Sequence, residues 1–295
     1  MLPGTGLRFT KGHGTENDFV VLPDPDADLD LTPGLVRALC DRRTGVGGDG
    51  VLRVVLTAAV PEVAHLADEA RWFMDYRNAN GSLAEMCGNG IRVYARYLVD
   101  AGYARAGTVP LATRDGVRAV ELAATGDVTV EMGRPRLFPD EVAVRLDGRD
   151  LPAQRVDLGN PHAVVVVSEP VAGLDLGSPP QLRAEDFPNG GNVEFVRQVA
   201  DDVLALRVYE RGAGETRSCG TGACAAVSVV RDRARATDSA TYRVEVSGGR
   251  LTVKAARDGR LQLAGPAVLV GDGELRSDWL ASARARSETD RAPLP

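Results

Sequence analysis

The chain has 295 residues, 44% hydrophobic and 26% charged, with a net charge of −6, the balance of a globular protein with core enough for one large domain or two average ones. The acidic surplus gives no electrostatic reason for nucleic acid or an anionic membrane as a partner. No apolar run reaches the roughly 18 residues of a membrane-spanning helix, and the start, MLPGTGLRFTKGHG, lacks the apolar stretch of a secretory signal. Four cysteines make no disulfide framework in a chain this long, so a cytoplasmic setting with reduced thiols is expected.

In chain order, residues 7–11 and 19–22 read as short strands around a polar loop, 12–18. Thr32 and Pro33 open a helix, Pro33–Cys40, with the threonine as N-cap and the proline in the first turn. A glycine loop at 45–50 precedes a β-rich run over 51–57. Residues 58–70 form an Ala-rich, acidic surface excursion, and a strand over 70–77 delivers the loop 78–82. Cys87-Gly88-Asn89-Gly90 then heads a helix over 91–101, with apolar Ile91, Tyr94, Ala95 and Leu98 at helical spacing and Gly102 past its end. Alternating runs at 108–113, 117–122 and 128–132 predict antiparallel sheet rather than repeated βαβ units.

Residues 133–135 read as a crossover into a second half with a similar plan. Gly159-Asn160-Pro161-His162 leads a strand over 163–167. Residues 190–192 precede a strand at 193–196, and a strand at 204–209 runs into the loop 210–218. Cys219-Gly220-Thr221-Gly222 opens the run 223–233, so rich in Ala, Val and Cys that it has almost no polar face. Such a helix is expected to be enclosed by sheet. Strands at 242–246, 250–255, 260–263 and 267–270 follow, and the tail past 281 is expected to be disordered.

The correspondence extends beyond the cysteines. Asn17 precedes Phe19-Val20-Val21 as Asn160 precedes Ala163-Val164-Val165. Asn78 stands nine residues before Cys87, as Glu210 stands nine before Cys219. A duplicated fold sets two equivalent loops on either side of one cleft. A cysteine leading Gly-x-Gly into a helix has its sulfur near unpaired N–H groups and the positive dipole end. That position favours the thiolate, lowering a pKa that starts near ~8.5. The glycines let a carboxylate approach the backbone. Two such helix ends facing one another would hold one carboxylate and present sulfur to both faces of its α-carbon, an arrangement suited to inversion of a stereocentre without a cofactor. A lone cysteine is more often a small buried hydrophobe, and Cys40 and Cys224 fit that description. No metal is expected, because neither Cys87 nor Cys219 has a zinc-ligand partner at the usual spacing.

The stretches GHGTENDFVV, YRNANGSLAEMCGNG, GNPHAVV, GGNVEFV and YERGAGETRSCGTGACAA together resemble diaminopimelate epimerase, over roughly residues 7–275. The resemblance implies an α/β (α+β) fold of two pseudo-symmetric domains, each a mainly antiparallel sheet curled around a central helix, with the site in the cleft between them. On that pattern 1–133 plus 265–282 form the half carrying Cys87, 134–264 form the half carrying Cys219, and 283–295 are a disordered tail. It implies epimerisation of LL-2,6-diaminopimelate to the meso isomer in lysine and peptidoglycan precursor synthesis, in the cytoplasm, by a homodimer. Cys87 and Cys219 would be the acid/base pair, with His162 and Glu210 adjusting their acidity. Gly88, Asn89, Gly220 and Thr221 would bind the reacting carboxylate, and Asn17, Asn78, Asn160, Asn192, Glu210 and Arg211 the rest of the substrate. Two departures bear on substrate contacts: Glu16 stands where many relatives have glycine, and Gly50 where some have glutamine. The remaining alternatives are a racemase of another amino acid, such as histidine or proline, and a non-catalytic amino-acid-binding module.

Overall fold

A computed structural model describes residues 6–289. Strands β1 (Leu7–Gly14) and β2 (Asn17–Pro23) pair antiparallel, with only Thr15 and Glu16 between them. Both turn residues have positive φ, 52° and 62°, which a two-residue type I′ hairpin requires at both central positions. The expected loop 12–18 is therefore mostly strand. Helix α1 (Pro33–Cys40) starts as its sequence dictates: Thr32 Oγ1 accepts from Leu35 N, and proline occupies the first turn.

The rest of the first half comprises β3 (Gly50–Leu56), β4 (Trp72–Asn78), α2 (Gly88–Asp100), β5 (Gly107–Thr113), β6 (Gly116–Leu122) and β7 (Val128–Gly133). The second half runs β8 (Arg136–Leu146), β9 (Arg149–Asp157), β10 (Pro161–Val166), β11 (Gln181–Leu182), β12 (Asn192–Ala200), β13 (Val203–Glu210), β14 (Gly214–Thr216), α3 (Gly220–Arg233), β15 (Ala240–Val246), β16 (Gly249–Ala255) and β17 (Leu261–Gly265). Strand β18 (Val268–Leu275) and helix α4 (Ser277–Thr289) close the chain. Residues 283–289, expected as disordered tail, instead continue α4, whose Leu280 and Ala283 are buried in one cluster with Leu35, Val36 and Leu39 of α1. Residues 290–295 lie outside the described residues.

The duplication is written in the strand pairings. In the first half the neighbours run β1–β2 antiparallel, β2–β3 parallel, β3–β4 antiparallel, β4–β5 parallel, then β5–β6 and β6–β7 antiparallel. In the second, β9–β10, β10–β12, β12–β13, β13–β15, β15–β16 and β16–β17 repeat that series of senses without exception. The flanking strands match as well: β18 lies against β1, and β8 against β9. The two series join where β7 pairs with β17, so the eighteen strands of the described residues share one hydrogen-bonded network. The antiparallel reading holds for β5 to β7. The units β4–α2–β5 and β13–α3–β15 lie outside that reading and are parallel, each helix being the crossover that a parallel pair needs.

These crossovers put α2 and α3 inside the curled sheets. Ile91, Tyr94, Ala95 and Leu98 of α2, with Ala223, Cys224, Ala225, Ala226, Val227, Val229 and Val230 of α3, join one core cluster that spans both halves. Leu98 is fully buried, and cutting it to alanine is expected to cost about 2–5 kcal/mol. Among the described residues no helix is long and apolar enough to cross a membrane.

Candidate active site

Each of the two buried helices begins at a cysteine. Cys87 takes φ −141° and ψ 117°, Cys219 φ −128° and ψ 119°, and each sulfur accepts the N–H three residues on, from Gly90 and Gly222, at 3.3 Å. The thiols thus serve as N-caps, the place usually taken by Ser, Thr, Asp or Asn. The helices meet at their first residues. A Cβ on Gly88 would lie 3.3 Å from Cα of Gly220, and one on Gly220 would lie 3.1 Å from Cα of Gly88, with Leu263 Cδ2 closer still to both. Only glycine lets these two positive helix ends abut.

Both sulfurs are withdrawn from solvent to different degrees at this junction. Cys219 is buried and Cys87 half-buried, and surface cavities of about 480 and 310 Å³ lie elsewhere, along β15–β17 and at the turn from β7 into β8. Enclosure reverses the expected acidity. Burial pushes the Cys87 thiol up to about 11, outweighing the N–H groups of Gly90 and Asn89 that pull it down. Cys219 is pushed well above the ordinary thiol range, by burial first and then by the carboxylates of Glu210 and Glu194. The helix-end effect read from the sequence is present, but desolvation is larger.

Around Cys219 the polar groups form a chain. Thr221 Oγ1 lies 3.4 Å from the sulfur and accepts from Asn160 Nδ2 at 3.3 Å. Asn160 Oδ1 is 2.8 Å from His162 Nε2, and His162 Nδ1 is 2.7 Å from Glu194 Oε1. The sequence offered a signal for Glu194 that went unused, a carboxylate inside the apolar run Asn192-Val193-Glu194-Phe195-Val196; it is fully buried.

The other expected residues divide. Asn192 is buried at the start of β12, its Oδ1 accepting from Arg211 N at 3.0 Å, while the Arg211 guanidinium is exposed and reaches Asn189 O. Glu210 ends β13 and accepts from Thr216 Oγ1; burial raises its carboxyl to about 7. Asn78 ends β4 as Glu210 ends β13, but its side-chain amide donates to Ser82 Oγ across its own turn. Gly50, the counterpart of Asn192 at the start of β3, has no space for a larger side chain: a Cβ there would lie 2.6 Å from Arg77 O and 2.7 Å from the Tyr76 ring.

Asn17 Nδ2 donates to Asp49 Oδ2 at 2.7 Å, and its Oδ1 accepts from Asn89 Nδ2 at 3.2 Å and faces the Cys87 sulfur at 3.8 Å. No motif marks Asp49 in the sequence, and the side-chain contacts of Asn89 are visible only in the fold. Among the described residues no group of three or more His, Cys, Asp or Glu is arranged to hold a metal ion.

The diaminopimelate epimerase family model matches residues 9–138 and 155–270. Diaminopimelate epimerase of Streptomyces coelicolor is 53% identical over 94% of this chain and 98% of its own length. That of Thermobifida fusca is 52% identical over 92% and 98%. Among solved structures, a phenazine biosynthesis protein of the PhzF family from Bacillus anthracis superposes with a TM-score of 0.68 at 16% identity, covering 92% of this chain and 99% of that one. A hydroxyproline epimerase from Agrobacterium vitis gives 0.67 at 16%, covering 96% and 100%. At that identity these two structures speak for the fold.

Proposed function

This chain belongs to the diaminopimelate epimerase family, and we propose that it interconverts LL- and meso-2,6-diaminopimelate with no cofactor, in lysine and peptidoglycan precursor synthesis. The observation that carries the reading is the junction of two cysteine-capped helix ends at Gly88 and Gly220. A carboxylate seated there would meet N–H groups from both helices, and its α-carbon would lie between the two sulfurs.

One cysteine, as thiolate, takes the α-proton; the electron pair spreads into the carboxylate, and the other, as thiol, gives its proton to the opposite face. The first cysteine ends protonated and the second ionised, so the reverse reaction starts from the product state. The two helix ends stabilise the charge that grows on the carboxylate, an arrangement set before reaction begins. Because burial favours both thiols in protonated form, one must ionise as substrate enters, its ammonium compensating the solvation lost. Gly88, Asn89, Gly220 and Thr221 are assigned to that carboxylate. Asn17, Asn78, Asn160, Asn192, Glu210 and Arg211 are assigned to the remainder of the substrate, with Glu210 and His162 setting thiol acidity. Asn78 would then have to leave Ser82.

The chain divides, on this reading, into 1–133 with 265–282 and 134–264, and it works as a cytoplasmic homodimer. Strand β18 offers an edge for dimerisation, since its outward Val268 and Val270 are exposed; light scattering would give twice the 31.2 kDa chain mass. The activity is tested by chiral analysis of LL-diaminopimelate after incubation, beside proline and histidine. Conversion of diaminopimelate alone is expected. Inversion of a single amino acid instead would assign a different racemase, and no inversion of any would favour a binding protein.

A further inference from the structure

A guanidinium sits beneath the helix junction, fully buried, with no carboxylate among its hydrogen-bond partners. Arg92 of α2 donates to Gly88 O at 2.9 Å, Asn89 Oδ1 at 3.0 Å, Thr15 Oγ1 at 3.0 Å and Pro266 O at 3.3 Å. All four acceptors are neutral. Burial lowers its pKa to about 10, which leaves it cationic at neutral pH. Asp127 acts on this charge only through space; a buried cation with no hydrogen-bonded counterion is costly, and a methionine would fill the space without that cost. A role purely in packing does not account for arginine here.

Its partners suggest what it does. Arg92 can only donate, so it fixes Asn89 with Oδ1 toward itself and Nδ2 away. The Nδ2 group then donates to Asn17 Oδ1 at 3.2 Å and to Ser218 O, the residue before Cys219, at 2.9 Å. At the other end Asp49, which accepts only, fixes Asn17 with Nδ2 outward and Oδ1 toward Cys87. Two amide dipoles are thereby aligned head to tail between a carboxylate and a guanidinium. Thr15 adds a second tie, accepting from both Arg92 and Ser218 Oγ at 3.0 Å. We infer that Arg92 is a positioning residue for the epimerisation: through Asn89 and Thr15 it sets the register between the helix end carrying Cys87 and the segment leading to Cys219, and it points the Asn17 carbonyl at the Cys87 sulfur. This rests on the two-cysteine reading above.

Three variants test the inference in the intact chain. Arg92→Lys keeps the charge and loses the planar fork. Asn89→Asp keeps the shape and gives Arg92 a counterion, so the fold should survive, but it puts oxygen where Asn17 and Ser218 need a donor. Arg92→Met removes the charge. Kinetics with diaminopimelate would be read beside the pH midpoint of Cys87 alkylation, followed by mass spectrometry. Arg92→Lys and Asn89→Asp should lower kcat by about 10- to 100-fold, the scale of a misplacement near 1 Å, with KM within about threefold.

Arg92→Lys should leave the alkylation midpoint where it is, while Arg92→Met raises it; Glu210, Tyr76, Asp49 and Cys219, the titratable groups that share the surroundings of Cys87, are common to all variants. Unchanged kcat in both Arg92→Lys and Asn89→Asp overturns the inference. So does a loss that follows the fall in thermal midpoint while the alkylation midpoint of Arg92→Met stays at the parent value. Absence of turnover in the parent chain would sink the proposed reaction instead. The alkylation comparison would still report on Arg92.

Discussion

The two cysteine caps differ little in backbone geometry yet strongly in what surrounds them. Beside Cys87 stand a neutral amide, Asn17, and the buried cation of Arg92, which favours the thiolate and partly offsets the opposing charge of Glu210. Around Cys219 stand Thr221 and two carboxylates, Glu194 and Glu210, which disfavour it. Duplication supplied the symmetric part: the cap, the glycines, and the strand order that brings the helix ends together. Divergence of single residues at matched positions, Asn78 against Glu210 and Gly50 against Asn192, supplied the asymmetry. A proton exchange between opposite faces of one carbon needs both, since the two groups must be alike in position and unlike in charge at any moment.

Removing either cysteine breaks the comparison outright. Cys87→Ala and Cys219→Ala should each lose at least about 1,000-fold in kcat, the scale of losing one member of a catalytic unit. Substrate binding, read by calorimetry, should remain.

Adding a methyl group at the junction is the next largest effect. Gly220→Ala must push Cβ against Gly88 and Leu263, which is expected to cost about 1–3 kcal/mol of stability by overpacking and about 100-fold in kcat by displacing one sulfur. Urea titration and steady-state kinetics would separate the two losses.

Glu210→Gln sharpens the asymmetry. A carboxyl raised from 4.5 to about 7 by folding favours the folded state fully below pH 4.5, and that contribution is lost as pH rises through 7. The variant should therefore gain in thermal midpoint over the parent between pH 5 and 8. Its Cys219 should also be alkylated at lower pH. Midpoints that move in parallel across that range would remove Glu210 from the account.

The smallest effect is expected at the hairpin tip. Glu16 pays for positive φ but pairs with Arg217 across the two halves at 2.6 Å, with both side chains more than half exposed. In Glu16→Gly, relief of about 1 kcal/mol of strain is offset by loss of an ion pair worth ~0.2–1 kcal/mol. Thermal midpoint and kcat should both stay close to the parent.

Much of this was legible in the sequence where local rules act alone. The Thr32 cap, the two Cys-Gly-x-Gly helix starts and the nine-residue offsets of Asn78 and Glu210 all stand in the fold as their spacing suggests. What was hidden depends on distant neighbours. Whether β4 and β5 run parallel is a property of the crossover, and short apolar runs do not disclose it. The β8–β9 hairpin has a register shift between Leu137 and Glu141, so the alternation of Val142, Val144 and Leu146 marks only its turn end. Arg92 sits one position off the apolar stripe of α2, where a surface arginine would also stand, and only enclosure by sheet makes it buried. Thiol acidity was misjudged for the same reason: a helix terminus is visible in sequence, but desolvation is not.

The central claim is that one proton leaves and a different one arrives. LL-diaminopimelate incubated in deuterium oxide and stopped early should give meso product carrying deuterium at the inverted carbon, while the remaining LL substrate keeps its protium. Product that retains the original proton, or substrate and product labelled at equal rates from the start, would mean that a single group serves both faces and would contradict the two-cysteine account.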